Sequence, residues 1–287
     1  MKTKLFFFLL TVAICFASCE QTHDDFATSS DGLQISYTDQ GSGQPALVFV
    51  HGWSCDKGYW KNQVPAFSDK YRVVTVDYGG HGQSGTGREN FTIESFGSDV
   101  VAVVEKLGLE QVILIGHSMG GQIIIEAASQ IPEKVVALIG VDTYQQFTDT
   151  TFTREIFEGH TAPFYSDFTG NTDQFVRNMF PENADQNLVN QVAEDMSSAD
   201  ARIAMQAFES MYAYGEKMPD KLAGLNIPIY AINADFWPTN EAYNKAMAYD
   251  FNVRYMPGYG HFIMLENAEL FNEKLQETIG EIEAGIE

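Results

Sequence analysis

Gly116-His117-Ser118-Met119-Gly120 sets a serine between two glycines, directly after the apolar run Val112-Ile113-Leu114-Ile115. A serine hydroxyl becomes a useful nucleophile only when a base takes its proton and an acid orients that base. A sharp strand-to-helix turn would present such a hydroxyl, with glycines leaving room where strand and helix nearly touch. The alternative is an ordinary glycine-rich turn that contains a serine. The apolar strand before it and the apolar helix expected over residues 122–129 argue for the nucleophile.

The base should follow in the chain order serine, acid, histidine. His261 fits, within the glycine-flanked segment Gly258-Tyr259-Gly260-His261-Phe262 after a short strand expected over 253–256. Of the other histidines, His23 lies near the start, and His51 and His81 belong to separate motifs. His117 sits beside the serine but points elsewhere on the turn, and His160 has no flanking strand. For the acid, Asp235 follows the apolar run Ile229-Tyr230-Ala231-Ile232 and lies between serine and histidine. Asp142, after the strand expected over Val135–Val141, is the alternative. Either could instead be a strand-end residue capping a turn, and order and strand position rank Asp235 first.

These landmarks, with His51-Gly52-Trp53 after one strand and Asp77-Tyr78-Gly79-Gly80-His81-Gly82-Gln83-Ser84 after the next, resemble the α/β-hydrolase fold family of the esterase and lipase type. The resemblance runs from about residue 33 to residue 275. It implies an oxyanion hole made by the backbone N–H groups of Trp53 and Met119, and no cofactor. It also implies an acyl-enzyme route to hydrolysis of a carboxylic ester or related small acyl compound. Acyl transfer, perhydrolysis, carbon–carbon bond hydrolysis and ligand binding without turnover are the alternatives on this scaffold. One departure touches the acid: the family usually carries glycine three residues before the aspartate, where this chain has Ile232. Serine at 118 argues against the relatives that use aspartate as nucleophile.

The elements needed to hold these residues are legible in the patterning. Continuous apolar runs at Ala46–Val50, 72–76, 112–115, Val135–Val141 and 229–234 read as strands covered on both faces, hence a mostly parallel sheet flanked by helices. Phe96, Val100, Val103, Val104 and Leu107 recur at helical spacing, with Gly108 as the stop. Leu270, Phe271, Leu275 and Ile279 make a similar face near the end, and residues 33–39 alternate like an antiparallel edge. Residues 144–217 break the rhythm with aromatic and sulfur side chains and read as an inserted helical cap. Gly80-His81-Gly82-Gln83-Ser84-Gly85 matches the dinucleotide fingerprint in form, but the polar residues 86–90 follow it where a helix would have to start.

The expected organisation is a signal peptide at 1–18, an acidic tether at 19–31 and a hydrolase domain at 32–287. Met1-Lys2-Thr3-Lys4 is basic, residues 5–17 are apolar, and Ala17-Ser18 precedes Cys19, a pattern that resembles a bacterial lipoprotein signal with Cys19 lipidated. That implies export to the cell envelope with a lipid anchor in a membrane, the alternative being a soluble periplasmic or secreted protein. Cys55 is then the one cysteine besides Cys15 and Cys19, so no disulfide scaffold or metal cluster is expected. With 17 basic against 39 acidic residues and a net charge of −22, nucleic acid is an improbable partner.

Overall fold

The computed structural model describes residues 25–149 and 151–286. Among the described residues, eight strands form one sheet: β1 (Asp25–Thr28), β2 (Gln34–Gln40), β3 (Ala46–Val50), β4 (Val73–Val76), β5 (Val112–His117), β6 (Val135–Val141), β7 (Pro228–Ala234) and β8 (Asp250–Met256). Their order is β1-β2-β4-β3-β5-β6-β7-β8. β2 pairs antiparallel with both β1 and β4, and β3 to β8 run parallel to one another. Every residue of β3, β4 and β5 is buried, which is why these strands read as unbroken apolar runs instead of alternating ones.

Helices cover both faces: α1 (Val64–Phe67), α2 (Ile93–Lys106), α3 (Met119–Gln130), α4 (Arg154–Ser166), α5 (Phe168–Arg177), α6 (Gln186–Ser197), α7 (Ala201–Tyr214), α8 (Met218–Ala223), α9 (Glu241–Met247), α10 (Ile263–Glu266) and α11 (Ala268–Ile286). In α2 the hydroxyls of Thr92 and Ser95 form a reciprocal capping box. Phe96, Val100, Val103 and Val104 are wholly buried, each burial contributing roughly 1.5–3 kcal/mol. Gly108 ends the segment at φ +60°, a left-handed conformation that glycine adopts without strain. Four helices, α4 to α7, fill the expected cap, and Pro163 lies inside the first of them.

Two readings from sequence need comment. The tether expected over 19–31 cannot extend past residue 24, because Asp25–Thr28 pairs with β2 and Ala27 is buried. Ser29 Oγ also donates to Oδ1 of the buried Asp99 carboxylate, both of whose oxygens accept from the Arg88 guanidinium. Four residues with one inward apolar side chain are too short and polar to announce a strand. The signal peptide, Cys19 and the first part of the tether lie outside the described residues.

The sheet's function is to collect strand ends. Residues 118, 142, 235 and 261 all follow the carboxyl ends of parallel strands, the edge where open α/β sheets hold their ligands.

Candidate active site

Ser118 stands between β5 and α3 with φ +53° and ψ −119°, a conformation rarely tolerated by a residue with a side chain. The surroundings enforce it. A Cβ on Gly116 would lie 2.3 Å from the Gly120 carbonyl oxygen, and one on Gly120 would lie 2.7 Å from the carbonyls of Val50 and His51. The two flanking glycines therefore permit the contact between strand and helix that forces the serine outward. The Ser118 N–H donates to Val141 O at 3.0 Å, tying the turn to the next strand one residue before Asp142.

His261 Nδ1 meets Asp142 Oδ2 at 2.5 Å, with both side chains buried. Asp142 sits at φ +42° and is fixed twice by β7: its N–H donates to Ile232 O, and its Oδ1 accepts from the Ala234 N–H at 2.9 Å. One carboxylate oxygen is thus held by the sheet and the other is presented to the imidazole. Because a carboxylate only accepts, Nδ1 carries the proton and Nε2 is the basic nitrogen left for the serine.

The carboxylate on the imidazole is therefore that of Asp142, and the sequence ranking of Asp235 is corrected. Asp235 is exposed, and its Oδ1 accepts from the Gly258 N–H at 2.8 Å, where it fastens the turn after β8. The Ile232 that departs from the family pattern lies inside β7, where it is buried and its carbonyl accepts from Asp142. The loop beyond it places Trp237 edge-on to the His261 ring at 5.4 Å.

The remaining histidines divide by position. His51 is buried and stacks on Tyr78, and its Nδ1–H donates to Gly52 O. Burial holds its pKa down at about 3, and does the same for His81. Both are neutral packing groups, with the His81 ring 5.3 Å from that of His51. His117 is wholly buried and donates from Nε2 to the main-chain carbonyl of His261 at 2.9 Å, a contact that spacing alone does not announce. His160 is exposed on α4. Gly80 to Gly85 closes as a turn, with the Gly80 N–H on Gly85 O, and no helix starts there.

Of the expected oxyanion donors, Trp53 follows Gly52, where a Cβ would lie 3.3 Å from the Ser118 Cβ, and Met119 takes the first position of α3 directly after the serine. An N–H at that helical position has no acceptor within its own helix and faces outward with the positive end of the helix dipole. The Trp53 side chain has its own task, since its Nε1–H donates to Ala204 O on α7 and its ring stacks on Phe208 at 4.8 Å. The cap thereby grips the loop. It also grips the histidine segment, where the His261 N–H donates to Met179 O and Phe262 stacks on Phe180.

The sequence reading missed Glu266, which lies five residues beyond the histidine and accepts from the N–H groups of Gly260 and Phe262. Cys55 is buried and free, with its thiol pushed up well above the usual range by burial, so it is no second nucleophile.

A cavity of about 870 Å³ lies mostly among cap residues, lined by Phe147, Phe157, Phe164, Phe175 and Phe208 among others; Gln122 of α3, one helical turn beyond Ser118, also lines it, whereas Ser118 and His261 do not. Three of those rings also pack on Trp53. The walls are apolar and aromatic, as in sites that bury most of a small molecule.

The chain matches the alpha/beta hydrolase fold family over residues 45–215. A non-heme haloperoxidase from Rhodococcus erythropolis is 40% identical over 97 residues, a segment that is 33% of this chain and 35% of that protein. The matched segment thus spans about a third of that relative's length. Among solved structures, a bromoperoxidase from Bacillus anthracis superposes with a TM-score of 0.80 at 21% identity, covering 90% of this chain and all of that one. A thermophilic esterase from Thermogutta terrifontis gives 0.77 at 22% identity, covering 91% and 99%.

Proposed function

The chain belongs to the alpha/beta hydrolase fold family, and on that premise we propose that it is a serine hydrolase of the carboxylesterase type acting on a small carboxylic ester. The observation that carries this reading is the 2.5 Å contact between His261 Nδ1 and the buried Asp142, one residue after Val141, whose carbonyl accepts from the N–H of Ser118 on its strained turn. In this reading His261 Nε2 takes the Ser118 proton as Oγ attacks the ester carbonyl, and Asp142 stabilises the imidazolium that forms. The developing oxyanion is received by the Trp53 and Met119 N–H groups, one such donor being worth about 100- to 1000-fold in rate. His261 then protonates the leaving alcohol, and water repeats the cycle on the acyl-enzyme. The apolar cavity beyond Gln122 houses the acyl portion.

A second reading has support from the relative named as a haloperoxidase: hydrogen peroxide in place of water at the second step would release a peracid. The same acyl-enzyme serves both.

The test is hydrolysis of p-nitrophenyl esters of increasing acyl length by the chain from Glu20 onward, beside its Ser118→Ala variant. Turnover that vanishes in the variant, with a fluorophosphonate adduct on Ser118 in the parent, supports the reading. A folded alanine variant that still turns over excludes it. Adding peroxide and assaying peracid separates the second reading.

We also propose that the exported protein is anchored through a lipid on Cys19. Palmitate incorporation lost in Cys19→Ala supports this, and unlabelled protein released in soluble form argues for ordinary secretory cleavage.

A further inference from the structure

We infer that His117 is a positioning residue: by donating its Nε2–H to the main-chain carbonyl of His261, it holds the general base in register with the serine that follows His117 in the chain. The inference rests on the proposed serine mechanism and concerns a side chain that mechanism leaves unused.

The geometry is specific. A carbonyl only accepts, so the 2.9 Å contact fixes the His117 proton on Nε2. Nδ1 has no hydrogen-bond partner among the described residues and sits over Gly52, where a Cβ would approach it to 2.8 Å. The ring is wedged between the two loops that flank the serine. It also lies 4.7 Å from the His261 ring, and burial keeps it uncharged, so it does not oppose the imidazolium next to it.

Four main-chain N–H groups of the 258–262 segment are also engaged: Gly258 on Asp235, His261 on Met179 O of the cap, and Gly260 and Phe262 on Glu266. Those bonds fix the segment to the loop after β7, to the cap and to α10. The bond from His117 alone among them runs to the turn that carries Ser118, and one peptide link separates it from the nucleophile. Serine and base are thereby positioned against each other directly, not through the cap. Misplacing a reacting group by about 1 Å can cost on the order of 100-fold in rate, so such a link bears on kcat.

Two variants of equal length separate this role from packing. His117→Gln keeps an N–H donor at the end of a three-bond side chain, while His117→Met puts a methyl group there. We expect the methionine variant to lose about 10- to 100-fold in kcat with KM unchanged, and the glutamine variant to recover most of that loss. The downfield proton resonance shared by His261 and Asp142 should weaken in the methionine variant and persist in the glutamine variant. That signal needs no turnover, so it tests the tether even if the parent hydrolyses none of the esters. A folded methionine variant with native kcat and resonance would overturn the inference. So would the reverse order, glutamine worse than methionine, which is what a buried residue used only for packing would give. Failure of both variants to fold would assign His117 to stability and overturn it too.

Discussion

Asp142 and His261 stand 119 positions apart in the chain and 2.5 Å apart in space, joined because β6 and β8 end at the same edge of one parallel sheet. The contact uses one carboxylate oxygen while the Ala234 N–H holds the other. An acid so fixed sets the tautomer of the imidazole and supports its positive charge.

Replacing this acid should therefore cost far more than replacing its rival. Asp142→Asn is expected to lower kcat about 1000- to 10,000-fold, since an amide can leave the imidazole in the wrong tautomer. Asp235→Asn should cost no more than a loosened turn at Gly258. Steady-state kinetics of both on one p-nitrophenyl ester decide between them, and the reverse ranking would return the role to Asp235.

The elbow should tolerate no side chain at Gly116. A Cβ there meets backbone atoms of Gly120 at 2.3 and 2.5 Å, which cannot step aside like a flexible side chain. Gly116→Ala should destabilise by about 3 kcal/mol in denaturant unfolding, whereas Gly87→Ala, with nothing within 4 Å, should change stability by about 0.5 kcal/mol or less.

Stability should fall in mild acid. Burial lowers the pKa of His51 and of His81 to about 3 in the folded chain, against about 6.5 when unfolded. Between these values the unfolded chain binds more protons, so the stability tied to the neutral rings is complete above about pH 6.5 and is lost progressively as pH falls toward 3. Each ring contributes a slope of about 1.4 kcal/mol per pH unit in that window. Urea midpoints between pH 7.5 and 5 measure it, and His81→Asn should shallow the slope by one ring's share.

The cavity should set acyl preference through Phe208, which lines it and stacks on Trp53. Phe208→Ala should shift the preferred acyl length upward, changing the ratio of kcat/KM between long and short esters about tenfold. An unchanged ratio would place the acyl group elsewhere.

Much of this was present in the sequence because local chemistry forces it. The buried strands had to be unbroken apolar runs, since both faces of a central parallel strand are covered. The elbow had to carry glycines, since no side chain fits where Gly116 meets Gly120. His261 was marked by glycines and by its place after the final strand. These are constraints that act within a few residues, so a few residues reveal them.

The choice of acid and the role of His117 were of another kind. Asp142 and Asp235 both follow apolar strands, and nothing in either neighbourhood says which will face the imidazole. That depended on the neighbour order β5-β6-β7-β8, which puts Asp142 on the strand beside the serine, and on the turn after β8, which engages Asp235. His117 likewise met its partner only when residues 144 positions away folded back over it. Sequence thus determined which chemistry was available and on what kind of elements. Tertiary structure decided which groups touch, because long-range contacts depend on where strands end relative to one another and not on what surrounds each residue in the chain.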